Sequence, residues 1–332
     1  MTVKLSVFAE DFAINGSFTI SRGTKTHAQT VRVQLEKQTS TTTSIYAQGE
    51  CIPYSRYDES FESTIDLIKQ HQQIIEAGIT PLELLDAMPA GAARNAIDCA
   101  LWDLAAKTNS KPVHQLLSLP APTPVETAFT ISVGTPEKMA QDAQQASSRP
   151  LLKVKLAGTG DKERLQAVRK AAPHSKLIID ANEAWTPQTL EENIAICEQF
   201  GVSLIEQPLP AGNDAALATI KTSILICADE SLHTANDLEA LQDRYTAVNI
   251  KLDKTGGLTE ALALAQKARK LNFKIMTGCM LGTSLAMAPA ILIAQQSDFV
   301  DLDGPLLLKE DRKPALVYKG SLLYPAPTSL WG

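Results

Sequence analysis

Five short apolar runs in the middle of this chain each end in a charged side chain. The runs are LLKVK, LIIDAN, SLIEQ, LICADE and VNIKLD, and their charged residues Lys155, Asp180, Glu206, Asp229 and Lys251 recur at intervals of 22 to 26 residues. Runs of this kind predict buried strands, and helical patterns fill the segments between them. Strand and helix alternating at this spacing indicate a parallel barrel, whose strand ends face one shared pocket and supply its catalytic groups.

Further apolar runs extend this pattern to eight strands. From Val125 onward the candidates are ETAFTISV, LLKVKL, KLIIDA, SLIEQ, LICAD, AVNIKL, KIMTGC and FVDLD. Amphipathic segments such as LTEALALAQKARKL, with Leu258, Ala261 and Ala265 on one stripe, fit between them as crossover helices. The sequence therefore predicts an α/β fold built on a parallel barrel.

The first third of the chain has a different pattern. Val31, Val33 and Leu35 alternate with polar residues, which predicts antiparallel strands with one wet face. Helical spacing follows, first in one helix that carries Ile65, Ile68, Ile74 and Ile75, and then in a second helix after the Pro89-Ala90-Gly91 start. This third is therefore expected to form an α+β unit.

Proline density marks the expected domain junction. The stretch LPAPTP at 119–124 reads as a boundary, and residues 311–332 carry no clear barrel element. We predict an α+β capping domain of residues 1–122, joined by the C-terminal tail 311–332, and a catalytic barrel domain of residues 123–310.

One long stretch without charge could suggest a membrane span. Residues 275–297 contain no charged side chain, but glycine, threonine, serine, proline and glutamine interrupt the run. We interpret it as a buried strand (KIMTGC), a loop (MLGTS) and a packed helix (LAMAPAILIAQQ).

Three of the strand-end residues are carboxylates on consecutive strands. Asp180, Glu206 and Asp229 end strands 3, 4 and 5, so they can converge on one ion. Clustered like charges are costly unless a cation holds them. Oxygen ligands without histidine suit a hard cation, and we predict Mg²⁺, which keeps open positions for a substrate carboxylate.

Two lysines face each other across this predicted metal site. Lys155 ends strand 2 and Lys251 ends strand 6, on opposite sides of the barrel mouth. Opposed bases beside a metal-bound carboxylate are what inversion at its α-carbon needs, because one lysine accepts the proton and the other delivers one to the opposite face. Lys153 points the same way as Lys155 by strand alternation and can add positive charge. Nearby cations and desolvation are expected to lower the pKa of the base.

The motifs together resemble a known family. KVK at 153–155, IIDANEAW around Asp180, IEQPLP around Glu206, ADES around Asp229, NIKLDKTGG around Lys251 and DLDGP around Asp301 resemble the muconate-lactonizing-enzyme branch of the enolase superfamily. The resemblance covers nearly the whole chain and is greatest to the dipeptide epimerases. It implies a modified (β/α)7β barrel, Lys155 and Lys251 as acid/base residues, and Mg²⁺ on the three carboxylates.

The same resemblance implies residues that bind the substrate. Asp301 and Asp303 match an Asp-x-Asp pair that holds the ammonium group of a dipeptide, and Arg22, in the loop SRGTKTH, matches the partner of a glutamate side chain. Thr130, Cys279 and Met280 match positions that line the same pocket. The expected activity is epimerisation of L-Ala-L/D-Glu dipeptides, with murein peptide metabolism as the implied context.

Other interpretations of these residues stay open. An Asp followed by Gly often marks a turn or caps a helix, and hairpin loops such as that of Arg22 often carry solvated charge. An o-succinylbenzoate synthase or a muconate cycloisomerase would use the same metal and lysines without needing the Asp-x-Asp pair. A non-catalytic binding protein on a barrel scaffold is a further alternative.

Composition limits the classes of binding partner and the cellular location that are expected. The net charge of −6, without a basic patch, argues against nucleic acid and membrane surfaces, and the glycine pairs lack a nucleotide-binding pattern. Five cysteines without a CxxC pair fit reduced thiols, and the N-terminus has no signal-peptide pattern, so a cytoplasmic location is expected. The sequence leaves open whether the chain forms a homo-oligomer.

Overall fold

The computed structural model describes residues 3–40 and 42–332, and it begins with a three-stranded antiparallel sheet. Strands β1 (Val3–Ile20), β2 (Gly23–Gln38) and β3 (Ser44–Cys51) lie in that order. Val31, Val33 and Leu35 are fully buried on one face of β2, which confirms the alternating pattern of the sequence.

Helices cover the buried face of this sheet. They are α1 (Phe61–Gln70), α2 (Gln72–Glu76), α3 (Pro81–Ala87) and α4 (Ala92–Asn109), and the short α5 (Val113–Leu116) follows and contacts α4. Gly49 of β3 permits the close approach of α4, because a Cβ there would lie 2.2 Å from the carbonyl oxygen of Ala96.

The prediction of one helix through Ile65 and Ile75 is wrong. The helix breaks at His71, whose backbone leaves helical geometry (φ −98°, ψ 5°) and whose ring Nδ1 lies 2.8 Å from the carbonyl oxygen of Leu67. The break lets both Ile68 and Ile75 pack in the core while Ile74 is exposed.

The rest of the chain forms a parallel barrel. After the short β4 (Val125–Glu126), its strands are β5 (Phe129–Ile131), β6 (Leu151–Lys155), β7 (Lys176–Asp180), β8 (Val202–Glu206), β9 (Leu225–Ala228), β10 (Ala247–Ile250), β11 (Lys274–Gly278) and β12 (Phe299–Asp301). Neighbours in sequence are neighbours in the sheet, and all eight predicted strands are confirmed. Ala128 N–H donates to Val300 O at 2.8 Å, next to the ends of β5 and β12, so the barrel is nearly closed.

Helices fill most of the connections between these strands. They are α6 (Pro136–Gln145), α7 (Asp161–Ala171), α8 (Leu190–Gln199), α9 (Leu252–Thr255), α10 (Leu258–Lys270) and α11 (Ser284–Ala294). Every residue of α11 is buried, which confirms the packed helix expected in the uncharged stretch. Within the described ranges no helix has the length and apolar character to cross a membrane.

The C-terminal tail contacts both parts of the molecule. Strand β13 (Tyr318–Lys319) pairs with β14 (Leu322–Leu323), and β14 pairs with β4. Trp331 Nε1 then donates to Cys99 O of α4 at 2.9 Å, and Gln48 Nε2 of β3 donates to Leu330 O at 3.1 Å. These contacts are consistent with a tail that joins the N-terminal unit, while the division at residues 122, 123 and 311 stays a prediction.

The tip of the first hairpin reaches the barrel. Val133 N–H, after β5, donates to Thr19 O at 3.0 Å, and Ser21 Oγ donates to Asn182 O, after β7, at 2.9 Å. The N-terminal unit therefore contributes side chains to the C-terminal end of the barrel.

Candidate active site

The predicted catalytic and metal-binding residues meet at one end of the barrel. Lys155, Asp180 and Glu206 are register partners on three adjacent strands, and Asp229 and Lys251 directly follow β9 and β10. All of them are at least nine-tenths buried. Parallel pairing in register puts their side chains in one row, which brings together groups that are about a hundred residues apart in sequence.

Each of the two outer lysines is paired with a carboxylate. Lys155 Nζ lies 2.6 Å from Asp180 Oδ2, and Lys251 Nζ lies 2.6 Å from Asp229 Oδ2. Burial would lower the pKa of Lys251, but the charges of Asp229 and Glu206 outweigh it and raise that pKa well above its usual value. This direction is opposite to the lowered pKa expected of a base, because the lysine here is an ion-pair partner of the carboxylates.

Lys153 lies among the carboxylates themselves. Its Nζ is 2.7 Å from Glu206 Oε2, 2.8 Å from Asp301 Oδ2 and 3.2 Å from Asp180 Oδ2. Burial opposes its charge, yet these three carboxylates together raise its pKa well above the usual value. Lys153 is therefore a fixed positive charge at the centre of the site.

The three predicted metal ligands are carboxylates held by buried lysines, and Glu206 is the one among them whose pKa is raised. Burial and the charge of Asp180 raise the pKa of Glu206 to about 7, and Glu206 Oε2 accepts no hydrogen bond although Lys153 Nζ is near it. Among residues 3–40 and 42–332, no group of three acidic, histidine or cysteine side chains has the geometry of a metal site, because lysines are paired with the carboxylates. The donor set, three buried carboxylates that supply only oxygen atoms, fits a hard cation.

Two residues of the site were not identified from the sequence. Lys254 is fully buried, and its Nζ lies 2.6 Å from Asp229 Oδ1 and 3.0 Å from Asn249 O. Gln207 accepts hydrogen bonds from Asp229 N and Ser231 N at 2.9 and 3.1 Å, which fixes the turn that carries Asp229. Lys254 lies in the motif NIKLDKTGG and Gln207 in the motif IEQPLP. The sequence pattern alone does not show which way their side chains point.

A cavity of about 360 Å³ opens above this cluster. The predicted residues that line it are Arg22, Lys155, Asp229, Lys251, Cys279 and Met280. Thr130, Lys153, Asp180, Glu206, Asp301 and Asp303 lie outside this lining and are at least nine-tenths buried. The two outer lysines therefore border the space that a substrate would enter, and most of the carboxylates lie beneath it.

The Asp-x-Asp pair is buried at the end of β12. Asp301 contacts Lys153, and its Oδ1 accepts no hydrogen bond. Asp303 precedes a short 3-10 turn at Gly304–Leu307, but its side chain does not cap that turn, and its Oδ2 accepts from Thr130 N at 2.7 Å. Burial and the charge of Asp301 raise the pKa of Asp303 to about 7. A cation would stabilise the charged form of this pair.

Arg22 is held by the protein. Its guanidinium donates to Glu230 Oε1 at 2.7 Å, to Glu183 Oε2 at 3.0 Å, to Asn182 O at 2.9 Å, and from Nε and Nη2 to Tyr54 Oη at 3.2 and 2.9 Å. It is therefore not a solvated loop charge, since it fastens the hairpin tip to the ends of β7 and β9.

Two family matches together span most of the chain. Residues 2–118 match the N-terminal domain of the mandelate racemase / muconate lactonizing enzyme family, and residues 137–316 match the family described as enolase C-terminal domain-like.

Two characterised relatives are similar over most of their length. The N-acetyl-D-glutamate racemase of Pseudoalteromonas sp. is 49% identical over 289 residues, which are 86% of this chain and 91% of that protein. The L-Ala-D/L-Glu epimerase of Escherichia coli (strain K12) is 47% identical over 320 residues, which are 96% of this chain and 97% of that protein.

Two solved structures share the fold and contain ligands. An enolase family member from Agrobacterium tumefaciens with homology to dipeptide epimerases, bound to sodium and L-Ala-L-Glu, superposes with a TM-score of 0.96 at 53% identity over 99% of this chain and 100% of that chain. A dipeptide epimerase from Enterococcus faecalis, complexed with Mg and L-Leu-L-Tyr, gives a TM-score of 0.89 at 29% identity over 98% of each chain.

Proposed function

We propose that this chain, which belongs to the mandelate racemase and muconate lactonizing enzyme family of the enolase superfamily, inverts the α-carbon of the glutamyl residue in L-Ala-L/D-Glu. The observation that carries this proposal is the position of Lys155 and Lys251. Both border one cavity, from β6 and from the end of β10, with β7, β8 and β9 between them. Two opposed proton carriers are what inversion requires, whereas elimination needs only one.

Asp180, Glu206 and Asp229 would hold one Mg²⁺ in this proposal. The ion would accept the substrate carboxylate and stabilise the second negative charge that develops when the α-proton leaves. The support within this chain is the buried, oxygen-only donor set, in which Glu206 Oε2 accepts no hydrogen bond although Lys153 Nζ lies 2.7 Å away. Sodium and magnesium accompany dipeptides in the two solved structures above.

Proton transfer would then pass between the two lysines and the α-carbon. One lysine Nζ, in its neutral form, takes the proton from one face, and the other, in its ammonium form, returns a proton to the opposite face. Each lysine is left in the state that the reverse reaction needs, so both epimers are substrates. A cation held by Asp180 and Asp229 would compete with Lys155 and Lys251 for these carboxylates, so the two amines would be released from their ion pairs.

The N-terminal group of the substrate distinguishes two candidate activities. Asp301 and Asp303 are buried carboxylates, and a dipeptide ammonium group would neutralise them, with the free Asp301 Oδ1 as one acceptor. The 49% identity with an N-acetyl-D-glutamate racemase favours a second candidate, racemisation of N-acetylglutamate, which has no ammonium group. In both substrates the amino nitrogen of glutamate carries an acyl group, so the chemistry at the α-carbon is the same.

A screen in deuterated water separates these activities from each other and from the remaining alternatives. The purified protein with Mg²⁺ is incubated with L-Ala-L-Glu, L-Ala-L-Leu and N-acetyl-D-glutamate, and mass gain and chiral chromatography are followed. We expect L-Ala-L-Glu to incorporate deuterium with inversion and to have the highest kcat/KM of the three substrates.

Faster turnover of N-acetyl-D-glutamate would replace the first candidate with the second. Absence of exchange in all three substrates would argue for a cycloisomerase, a lyase such as an o-succinylbenzoate synthase, or a non-catalytic binding protein. We also retain a cytoplasmic location as a prediction, which all five cysteines support because they are free thiols.

A further inference from the structure

Helix α4 of the N-terminal unit presents three buried polar side chains to the barrel. Arg94, Asn95 and Asp98 are all at least nine-tenths buried. Buried polar side chains bond to other side chains or to backbone groups nearby. All three reach the segment 252–259, which directly follows Lys251.

This segment begins with a single helical turn. Helix α9 has only four residues, and Lys251 is its N-cap residue. The carbonyl oxygen of Lys251 accepts from Thr255 N at 3.0 Å. One turn forms few hydrogen bonds for the residues that it fixes, so its geometry depends on contacts from outside.

Arg94 binds the end of this turn. Its guanidinium donates from Nη2 to Thr255 O at 2.7 Å and from Nε to Gly256 O at 3.0 Å. Thr255 bonds through its own N–H to Lys251 O. Two hydrogen bonds therefore connect the guanidinium with the backbone of Lys251.

Asn95 and Asp98 hold the segment at two further points. Asn95 Nδ2 donates to Asp253 Oδ1 at 2.8 Å, in the first turn of α9. Asp98 Oδ2 accepts from Thr259 N at 3.2 Å, and its Oδ1 accepts from the hydroxyl of the same threonine, in the first turn of α10. A carboxylate at a helix start satisfies a free N–H group and is stabilised by the helix dipole. Both helices that follow Lys251 are thus fastened to α4.

The glycine pair of the motif NIKLDKTGG makes room for these side chains. A Cβ on Gly256 would lie 2.5 Å from Arg94 Nε, and a Cβ on Gly257 would lie 2.5 Å from Asp98 Cγ. Both glycines also have positive φ angles, 74° and 118°. The motif that carries Lys251 therefore also contains the space that α4 needs.

The other proposed proton carrier is held from within the barrel. The segment after Lys155 bonds to Asp161 of α7, whose Oδ1 accepts from Ala157 N at 3.0 Å and whose Oδ2 accepts from Gly158 N at 2.8 Å. A change in α4 should therefore displace Lys251 more than Lys155.

We propose that Arg94 and Asn95 are positioning residues for Lys251, so that the N-terminal unit sets the place of one of the two proton carriers. This inference rests on the proposed function, because it assigns proton transfer on one face of the α-carbon to Lys251. Loosening the contacts with α4 slows proton removal on that face and leaves the face of Lys155 nearly unchanged.

The test measures α-proton exchange separately for the two epimers. L-Ala-L-Glu and L-Ala-D-Glu are incubated in deuterated water, and the initial loss of the α-proton is followed by proton NMR. Saturating Mg²⁺ keeps a change in metal affinity from entering the rates. Lys155→Ala and Lys251→Ala identify which epimer each lysine serves.

Asn95→Leu removes the amide that donates to Asp253 at nearly the same side-chain volume. We expect exchange of the epimer served by Lys251 to fall by about 10- to 100-fold relative to the other epimer, because a small misplacement of a reacting group has a cost of this order. Asn109→Leu, at an exposed position in the last turn of the same helix, is the matched control and should leave the ratio of the two rates unchanged.

Gly256→Ala tests the same contact from the barrel side. Its new Cβ would press on Arg94, so we expect the same asymmetric loss. Gly320→Ala is the control, because Gly320 also has a left-handed φ, 61°, but its Cβ would have no neighbour within 4 Å among residues 3–40 and 42–332. Both substitutions strain the backbone and should lower the urea midpoint, but only Gly256→Ala should change the ratio of the exchange rates.

The outcomes separate this inference from the proposed function. If the wild type inverts L-Ala-L-Glu and Asn95→Leu slows both epimers equally or neither, the contact with α4 is only structural and the proposed function stands. A larger loss for the epimer served by Lys155 would also overturn the inference. If the wild type exchanges neither epimer, the proposed function fails and the inference fails with it.

Discussion

Lys254 holds the carboxylate of Asp229 from the side opposite to Lys251. Its Nζ is 2.6 Å from Asp229 Oδ1, and Lys251 Nζ is 2.6 Å from Oδ2 of the same carboxylate. Lys254 is fully buried and also donates to Asn249 O, so it ties the end of β9 to the end of β10. A buried lysine in this position fixes the direction in which Asp229 presents its oxygens.

Substitution of Lys254 should therefore cost stability and metal affinity together. Lys254→Met leaves a buried carboxylate short of one cation, which typically costs about 3 to 5 kcal/mol of unfolding free energy. Urea unfolding measures this loss, and calorimetric titration with Mg²⁺ measures the affinity. Lys138→Met, which removes an exposed ion pair with Asp142, is the control and should change stability by less than about 1 kcal/mol. A Lys254 variant as stable as this control would contradict the structural role.

Substitution of Glu206, a proposed metal ligand, should abolish turnover without unfolding the protein. Glu206→Gln keeps the hydrogen bond that Glu206 Oε1 accepts from Asn249 Nδ2 at 2.7 Å but removes a negative charge from the donor set. We expect Mg²⁺ affinity to fall by at least about tenfold, and chelation of the wild type to abolish activity reversibly. Glu62→Gln, an exposed helix-terminal glutamate, is the control. Full activity in excess chelator would exclude the metal from the reaction.

The two cavity lysines should fail in complementary ways. Lys155→Ala and Lys251→Ala each remove one of the two proposed proton carriers, so net inversion should fall by about 10² to 10⁴-fold or more. The surviving lysine still faces one side of the α-carbon, so each variant should exchange deuterium into one epimer and leave the other untouched. Proton NMR of L-Ala-L-Glu and L-Ala-D-Glu in deuterated water reads this pattern. Both variants exchanging the same epimer would mean that the lysines do not act on opposite faces.

The buried Asp303 should matter only for substrates with a free N-terminus. Asp303→Asn can still accept from Thr130 N–H, which is 2.7 Å from Oδ2, but it loses the charge that an ammonium group needs. We expect kcat/KM for L-Ala-L-Glu to fall by about 10- to 100-fold, because a hydrogen bond to a charged group contributes roughly 1.5 to 3 kcal/mol. Activity on N-acetylglutamate should change much less. Equal losses on both substrates would show that Asp303 has a structural role.

The carboxyl of Asp253 should make stability depend on pH. Burial raises its pKa to about 7, although its Oδ1 accepts from Ile52 N at 3.0 Å and Asn95 Nδ2 at 2.8 Å. A folded-state pKa above the unfolded value of about 3.9 means that the folded protein binds more protons between about pH 4 and 7. The contribution of this group is therefore present below pH 4 and is lost as the pH rises to 7.

Asp253→Asn isolates this contribution. Relative to the wild type, the variant should gain roughly 2 to 4 kcal/mol of unfolding free energy between about pH 4.5 and 8, because about 1.4 kcal/mol corresponds to each unit of pKa difference. Urea unfolding of both proteins across this pH range gives the difference directly. A constant difference between the two proteins would mean that Asp253 titrates normally.

The sequence alone located the eight barrel strands and the residues that end them. Burial on both faces makes each barrel strand a short continuous apolar run, and this signal is local, so LLKVK, KLIID and SLIEQ could be placed without any tertiary information. Their order along the chain then fixed their order in the sheet, because crossover helices connect neighbouring strands. The convergence of Lys155, Asp180 and Glu206 followed from this order.

The tertiary structure decided which side chains pair with one another. Arg22 meets Glu230 across 208 positions of sequence, and Lys153 meets Asp301 across 148 positions. Neither pair leaves a local pattern in the sequence. The first forms only when the hairpin docks on the barrel, and the second only when the barrel closes and brings β6 near β12. For the same reason, the sequence alone does not show that Arg22 and Lys25 have different partners. They lie three residues apart at the hairpin tip, yet only the docked geometry leaves Arg22 fully bonded to the protein and Lys25 without a carboxylate partner among residues 3–40 and 42–332.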